Sequence, residues 1–278
     1  MIAVVTVTAA LAEARSAGLD RLDAQLLLAH VLRQPRPWLI AHDDAPLDFA
    51  QRERFTALLA RRVAGEPVAY LVGEKGFHGL TLRVDANVLV PRPDTEVLVD
   101  WAIAWLTGAA SARVVDLGTG SGAIALAVKR ARPAATVIAT DISAAALVVA
   151  QANADRLGLD VAMRLSAWWD GLEGQRFDLI LSNPPYIAGN DPHLAALKHE
   201  PALALTPGGD GLDSLRAIIG GARDHLAPAG RILLEHGLDQ AAAVQALLGA
   251  HGFEGIETRR DLGGRPRCTG AQGGASGA

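Results

Sequence analysis

The chain has 278 residues, 50% of them hydrophobic and 20% charged, a composition that predicts a folded globular protein with a substantial core. Its 29 Gly and 14 Pro residues follow no period, which excludes a collagen-like chain and argues against wholesale disorder. Lys and Arg total 26 against 30 Asp and Glu, a formal net charge of −4, so no global positive field would attract a polyanion.

Cysteine usage and the ends of the sequence predict a cytoplasmic protein. Cys268 is the single cysteine, which excludes an internal disulfide and suits a reducing compartment. The sequence contains no uninterrupted run of about 18 apolar residues, so no membrane span is predicted. The first residues also lack the basic region of a secretory signal. Gly270–Ala278 contains only Gly, Ala, Ser and Gln and is expected to be a frayed tail.

Residues 1–73 are predicted to form a small all-helical domain. Apolar residues recur there at helical spacing, and Pro35, Pro37 and Pro46 divide the pattern into several helices. Eight Arg residues balance eight acidic residues in this region. The balance favours a module that packs or docks onto a partner over a nucleic-acid clamp.

Residues 74–93 are predicted to be a β-hairpin linker between two domains. Apolar residues alternate with polar ones from Leu80 to Val84, which is typical of a half-buried strand. After the hairpin, Asp94 or Thr95 is expected to cap a helix that ends near Gly108.

Residues 94–278 are predicted to form an α/β domain. Its strand candidates are RVVDL, TVIAT, VAMRL, FDLILS and RILLEH, and its helix candidates lie near 122–132, 143–157, 214–226 and 239–250. This alternation predicts a Rossmann-like, mainly parallel sheet with helices on both faces. Such sheets bind ligands beyond the carboxyl ends of their strands.

A glycine-rich loop follows the first of these strands. Glycine lets the backbone turn sharply and approach a ligand closely, so a cofactor is expected against this loop. The spacing of Gly118, Gly120 and Ala123 also matches the dinucleotide fingerprint, and alone it does not separate NAD from other adenosine cofactors. The candidate cofactor-binding residues are Asp116, Gly118, Thr119, Gly120, Ser121 and Gly122.

Further candidates end the second and third strands. Asp141 can accept hydrogen bonds from both ribose hydroxyls of an adenosine, and Asp116 can fix the glycine loop or meet a cationic amino group. Either acid could instead cap a helix. Trp168 could cover an adenine face or simply pack in the core. Two acids at corresponding strand ends favour a cofactor site.

The candidate catalytic segment, Asn183-Pro184-Pro185-Tyr186, follows the fourth strand. Consecutive prolines stiffen the loop and leave its carbonyls free. The Pro184 carbonyl and the Asn183 side-chain oxygen can accept both hydrogens of one planar NH₂ group, with the Tyr186 ring against the group that bears it. The segment predicts a socket for an amide or amine on a planar carbon; the alternative is a rigid structural turn.

These elements resemble a class I S-adenosylmethionine-dependent methyltransferase acting on a planar nitrogen. Further segments narrow the resemblance to the peptide chain release factor N5-glutamine methyltransferases, over about residues 65–267. The segments are VPRPDTE at 90–96, DLGTGSGAIALA, SNPPYI at 182–187, EPALAL at 200–205, LLEHG at 233–237 and DLGGRPR at 261–267. The helical N-terminal region matches the family in size and position.

The resemblance implies S-adenosylmethionine as cofactor and, as substrate, the glutamine of the Gly-Gly-Gln loop of bacterial class I release factors. Residues 118–122 would contact the methionine part of the cofactor, Asp141 its ribose and Trp168 its adenine region, with Asn183 also beside the cofactor. The glutamine amide would be held by Asn183, Pro184, Pro185 and Tyr186. A monomer without a nucleic-acid or membrane partner is expected.

Two departures from the family pattern are visible. Ala167 stands where many relatives have an acid before the tryptophan, so a polar contact to the adenine is not expected. The family usually continues past the final arginine with a short apolar strand, whereas residues 268–278 are small and polar. A shortened last strand is therefore expected.

Several other functions fit parts of the sequence. Methylation of adenine N6 or guanine N2 would also use an NH₂ on a planar carbon, and a ribosomal protein could supply the glutamine. An NAD-dependent oxidoreductase would explain the glycine loop but not N-P-P-Y, and intact motifs argue against a helical adaptor with a degenerate cofactor fold. The eight histidines show no metal-ligand spacing, so no metal is expected.

Overall fold

The computed structural model describes residues 5–108 and 111–274. The chain divides between Glu74 and Lys75 into two compact units. Within the described ranges, no helix has the length and apolar character that crossing a bilayer requires.

The first unit is helical, as its apolar spacing predicts. Side chains at three helix starts explain where the helices begin: Thr6, Asp20 and Asp48 each accept a hydrogen bond from a backbone amide of the first turn. Buried leucines and Phe55 form the core of the unit. The helices are α1 (Val7–Ser16), α2 (Arg21–Leu32), α3 (Arg36–Ala41), α4 (Phe49–Val63) and α5 (Val68–Val72).

The predicted hairpin is present as a two-stranded sheet of β1 (Glu74–Phe77) and β2 (Leu80–Arg83). Asn153 attaches this hairpin to the glycine loop. Its side-chain oxygen accepts from the Arg83 amide at 2.7 Å, and its nitrogen donates to the carbonyls of Arg83 at 3.0 Å and Ser121 at 2.9 Å. The hairpin therefore supports the loop that the sequence assigns to a cofactor.

A seven-stranded sheet forms the centre of the second unit, with strand order β5-β4-β3-β6-β7-β9-β8. β3 to β7 are parallel, and β9 runs antiparallel to both of its neighbours. The strands are β3 (Arg113–Leu117), β4 (Thr136–Asp141), β5 (Ala162–Leu165), β6 (Phe177–Ser182), β7 (Leu226–Glu235), β8 (Phe253–Arg260) and β9 (Pro266–Gly273).

Helices cover both faces of this sheet, which confirms the predicted architecture. Successive strand residues point to opposite faces, so Val114 and Leu233 join one apolar cluster while Val115 and Leu234 join another. Buried residues of α6 and α7 pack in the first cluster, and those of α9 and α10 pack in the second. The helices are α6 (Glu96–Trp105), α7 (Ala123–Ala131), α8 (Ala144–Leu157), α9 (Asp213–His225) and α10 (Ala241–Ala250).

The prediction for the carboxyl-terminal residues is wrong. Gly270 and Gly273 lie in β9, an eight-residue strand paired on both sides, so the last strand is not shortened and the predicted tail is ordered up to there. Small residues are required in part because a Cβ at Gly270 would lie 2.4 Å from Leu233 and 2.8 Å from Trp101. The rest of the predicted tail, 275–278, lies outside the described residues.

The predicted side-chain cap of α6 is also wrong. A short 3₁₀ turn, Pro93–Thr95, precedes the helix, and Thr95 has helical backbone angles instead of the extended ones of a capping residue. The Thr95 hydroxyl accepts a hydrogen bond from Asn183, and the Asp94 carboxylate pairs with Arg267. Both side chains thus serve tertiary contacts.

Candidate active site

A cavity of about 270 Å³ lies beyond the carboxyl ends of β3, β4, β5 and β6. This is the edge at which an open parallel sheet binds its ligands. Most of the sequence-predicted site residues meet there. The predicted residues that line the cavity are Gly118, Thr119, Gly120, Ser121, Asp141, Trp168, Asn183 and Pro185.

The glycine loop has the conformation that its sequence predicts. Gly118, Gly120 and Gly122 have φ of 73°, 55° and 84°, values in the left-handed region that favours glycine. A Cβ at Gly118 would meet the Trp168 ring at 3.5 Å, and one at Gly122 would lie 2.9 Å from the Leu126 side chain. Gly122 thus serves packing against α7, while Gly118 faces the cavity.

Asp116 supports the glycine loop from beneath. Its Oδ2 accepts hydrogen bonds from the Thr119 hydroxyl at 2.6 Å and the Ala125 amide at 3.2 Å. Burial raises the pKa of the carboxyl to about 7, although these two hydrogen bonds oppose the shift. The described lining of the cavity does not include Asp116 or Gly122. Direct contact of either with a cofactor stays a prediction.

Asp141 joins the glycine loop to the start of α8. One carboxylate oxygen accepts from the Gly120 amide at 2.9 Å, and the other accepts from the Ser143 amide at 2.9 Å. Burial raises the pKa of Asp141, and the backbone hydrogen bonds oppose that rise. Each oxygen keeps capacity for a second hydrogen bond, so Asp141 can hold the loop and still bind a hydroxyl in the cavity.

Trp168 combines the two roles that the sequence left open. Its ring lines the cavity and also packs against the second apolar cluster. Its φ is 56°, a strained value for a bulky residue. The Ser166 hydroxyl holds this turn through the carbonyls of Trp168 at 3.0 Å and Asp170 at 2.6 Å. Ala167, next to it, also lines the cavity.

The N-P-P-Y segment divides between the cavity and the protein interior. Asn183 and Pro185 line the cavity, whereas its described lining does not include Pro184 or Tyr186. The Asn183 Nδ2 donates to the Thr95 hydroxyl at 3.1 Å, which leaves the side-chain oxygen as the free acceptor. The Tyr186 hydroxyl donates to Glu235 at 3.3 Å. Contact of the Tyr186 ring with a substrate stays a prediction.

Two further segments form walls of the cavity that the site prediction did not include. Arg92 and Thr95 come from the segment before α6, and Pro201 and Leu203 from the segment after β6. The sequence analysis used these two segments, VPRPDTE and EPALAL, only as evidence for the family resemblance. The physical signal that could have placed them at the site is the opposite charge of Arg92 and Glu200, each next to a proline.

A buried polar cluster lies at the ends of β7 and β9, behind N-P-P-Y. Glu235 is 1% exposed, and burial raises its pKa to about 7, although the positive charge of Arg267 and the hydrogen bond from Tyr186 oppose the shift. Arg267 Nη2 lies 3.1 Å from both Asp94 and Asp261. Glu235, Arg267 and Asp261 are not among the site residues predicted from the sequence.

The fold and the site together define a class I methyltransferase domain. The family model described as the methyltransferase small domain matches residues 95–212, and the model described as the PrmC N-terminal domain matches residues 3–73. The chain belongs to the release factor glutamine methyltransferase family, as its close relatives demonstrate.

These relatives are curated proteins named release factor glutamine methyltransferase. The protein from Bordetella pertussis is 52% identical over 91% of this chain and 95% of its own length. The protein from Xylella fastidiosa is 51% identical over 94% of this chain and 96% of its own length. The protein from Pseudomonas aeruginosa is 49% identical over 90% of this chain and 91% of its own length.

Solved structures support the fold alone. A methyltransferase from Pyrococcus furiosus aligns with a TM-score of 0.54 and 18% identity, over 79% of this chain and 99% of that one. A ribosomal protein L11 methylase from Lactobacillus delbrueckii subsp. bulgaricus aligns with a TM-score of 0.50 and 22% identity, over 65% of this chain and 80% of that one.

Proposed function

We propose that this protein transfers a methyl group from S-adenosylmethionine to the side-chain amide nitrogen of the glutamine in the Gly-Gly-Gln loop of bacterial class I release factors. The observation that carries the proposal is the Asn183 amide, fixed by Thr95 at 3.1 Å in the wall of a cavity that also contains the glycine loop and Asp141. The names of the relatives supply the identity of the acceptor.

The residues around the cavity fit the cofactor. Gly118 leaves open the space that a Cβ would fill beside the Trp168 ring, which suits close approach of a ligand. In this proposal residues 118–122 hold its methionine part, Asp141 accepts from its ribose and Trp168 covers its adenine region. When bound, S-adenosylmethionine supplies an electrophilic methyl group.

Asn183 positions the amide that is to be methylated. An amide nitrogen is a poor nucleophile because its lone pair is delocalised into the carbonyl. The Asn183 oxygen and the Pro184 carbonyl accept the two N–H groups, which orients the nitrogen and stabilises positive charge as it develops. The methylated nitrogen then loses a proton readily, so no strong general base is needed. Orientation of this kind can contribute roughly 7 to 11 kcal/mol.

We propose a separate role for each of the three segments of the chain. Residues 1–73 dock the release factor, residues 74–93 link the domains, and residues 94–278 carry the methyltransferase. The docking region is balanced in charge, which suits a protein partner better than a nucleic acid. The protein acts as a monomer in the cytoplasm, where release factors are found.

The test uses labelled S-adenosylmethionine and a purified class I release factor, followed by mass spectrometry of its peptides. The expected product carries the label on the glutamine of the Gly-Gly-Gln loop, and a release factor with that glutamine replaced by alanine remains unlabelled. Parallel reactions contain ribosomal proteins or ribosomal RNA. Label in either of these, with none in the release factor, would overturn the proposal.

A further inference from the structure

A groove of about 710 Å³ lies in the first unit, between α2, α4, α5 and the chain that follows α2 and α5. Its lining combines apolar and basic side chains. Arg33, Arg36 and Arg54 are exposed, and Glu74 is the one acid among the described residues that line the groove. The buried and half-buried apolar residues of the lining are Leu26, Ala29, Val31, Leu58 and Val72.

The three arginines of the groove keep their positive charge. Two other arginines of the unit pair with acids, at 2.6 and 2.7 Å, but within residues 5–108 and 111–274 no ion pair forms at Arg33, Arg36 or Arg54. Arg36 Nη2 instead donates to Oε1 of Gln25 at 2.9 Å, and Gln25 is only 6% exposed. A neutral amide orients a guanidinium without cancelling its charge. A region that is balanced in total charge therefore has one positive groove.

Arg33 stands at a position where the backbone favours glycine. It follows the last residue of α2 with φ 52° and ψ 40°, in the left-handed region. The Arg33 amide donates to the His30 carbonyl and the Gln34 amide to the Ala29 carbonyl, an arrangement in which a helix usually ends with glycine. A side chain with these angles costs stability. Helix termination therefore does not explain the arginine, whereas a role of its guanidinium in the groove does.

We propose that this groove binds an acidic segment of the release factor, with carboxylates at the arginines and an apolar side chain against Leu26, Leu58 and Val72. The inference rests on the proposed function and assigns the docking role of residues 1–73 to a defined surface. Charge complementarity favours carboxylates, which a guanidinium can bind through two parallel hydrogen bonds. The apolar lining favours a protein segment over RNA, because a phosphate backbone would leave that lining uncovered.

The first test reverses one charge and measures methylation of the release factor. Arg54→Glu should raise the KM for the release factor about tenfold, because it replaces attraction with repulsion, while kcat at saturating release factor changes little. Arg52→Glu is the matched control, since Arg52 is also an exposed residue of α4 but is not among the described residues that line the groove. Added salt should raise the KM of the wild type more than that of Arg54→Glu. Equal KM values in the two variants would overturn the proposal.

Arg33→Gly separates binding from folding. Glycine adopts the φ of 52° at this position without strain, so the variant should be at least as resistant to urea as the wild type. The same change removes a guanidinium from the groove and should raise the KM for the release factor about threefold or more. A purely structural role of Arg33 predicts no such rise. An unchanged KM in this stable variant would overturn the proposal.

The second test identifies the occupant of the groove and does not require methyl transfer. Cys268 is the single cysteine of the chain and is buried, so Ala57→Cys places one exposed thiol in the groove for a photoreactive cross-linker on the full-length protein. With purified release factor, the cross-linked peptides should be rich in Asp and Glu. Ala12→Cys, at an exposed position of α1, is the control and should give few cross-links.

The outcomes of the cross-linking test are distinct. Cross-links from Ala57→Cys to ribosomal RNA, or to segments of the release factor without acidic residues, would overturn the proposal. Cross-links that are equally frequent from Ala12→Cys would overturn it as well. A cross-link to an acidic segment, without methylation of any release factor, would overturn the proposed function alone.

Discussion

Arg92 Nη2 lies 2.5 Å from Glu200 Oε1, although 108 positions separate the two residues in the sequence. The other Glu200 oxygen accepts from the Val90 amide at 3.0 Å, and Glu200 is only 7% exposed. Arg92 and Pro201, the residue after Glu200, both line the cavity. One buried carboxylate therefore joins two walls of the site.

Glu200→Ala should loosen these walls and destabilise the protein. It leaves the Val90 amide without its acceptor and Arg92 without its partner. Breaking a buried ion pair costs about 3 to 5 kcal/mol, and we expect about 1 to 3 kcal/mol because Arg92 is partly exposed. Urea unfolding measures the loss of stability, and calorimetry should show weaker S-adenosylmethionine binding.

Glu257→Ala is the matched control for Glu200→Ala. Glu257 pairs with Arg259 at 3.2 Å on the surface, and exposed pairs contribute at most about 1 kcal/mol. Cofactor affinity should be unaffected by this change. Equal losses of stability in the two variants would contradict the role assigned to Glu200.

Gly118→Ala should weaken S-adenosylmethionine binding more than it weakens the fold. The added methyl would sit 3.5 Å from the Trp168 ring, in space that the proposed cofactor needs. Gly158→Ala is the matched control, because Gly158 also has a left-handed φ, 64°, and ends α8 with nothing within 4 Å of an added Cβ. Both variants should lose about 1 kcal/mol of stability. Calorimetry that finds the same cofactor affinity in both would contradict the prediction.

The parallel part of the fold could be predicted from sequence because its central strands, β3, β4 and β6, are short and mostly apolar. Residues on β3 such as Val114 and Val115 are buried on opposite faces, and only a strand covered by helices on both sides needs such a run. The alternation of strands and helices also predicted that ligands bind at the carboxyl ends of the parallel strands. Asp141 and Asn183 could be found because Asp141 ends an apolar strand and Asn183 directly follows another.

The antiparallel edge could not be predicted in this way. β8 has alternating exposed and half-buried residues with few apolar ones, and β9 is buried although it is rich in small and polar residues. Its glycine at 270 is imposed by Leu233 and Trp101, which are neighbours only in space. The partners of Glu200 and Glu235 come from distant segments, so no local pattern marks either carboxylate.

Asp116 should make stability depend on pH. Burial raises its pKa to about 7 in the folded protein, from an ordinary value of 3.8, so the folded state binds the proton more tightly. The stabilisation that protonation provides is present at low pH and is lost as the pH rises toward and through about 7. Between pH 5 and 8, we expect the wild type to lose on the order of 2 kcal/mol relative to Asp116→Asn.

Unfolding in urea at several pH values measures this difference. Asp210→Asn provides the control, because hydrogen bonds from Arg216 lower the pKa of Asp210 to about 2, and its charge therefore stays constant over the same interval. The difference between wild type and Asp210→Asn should not change from pH 5 to 8. An equally flat difference for Asp116→Asn would show that the buried carboxyl does not titrate there.

Asn183→Ala separates methyl transfer from cofactor binding. The variant removes the acceptor that the Thr95 hydroxyl holds in place, and one lost hydrogen bond to a developing charge costs about 3 kcal/mol or a hundredfold in kcat. The cavity should still bind S-adenosylmethionine, since the glycine loop and Asp141 are untouched. Asn190→Ala, at an exposed asparagine nearby, should retain full activity. Because Asn183 also contacts Thr95, the stability of the variant must be measured in parallel by unfolding. An unchanged kcat in a folded Asn183→Ala protein would show that Asn183 is not the acceptor for the substrate amide.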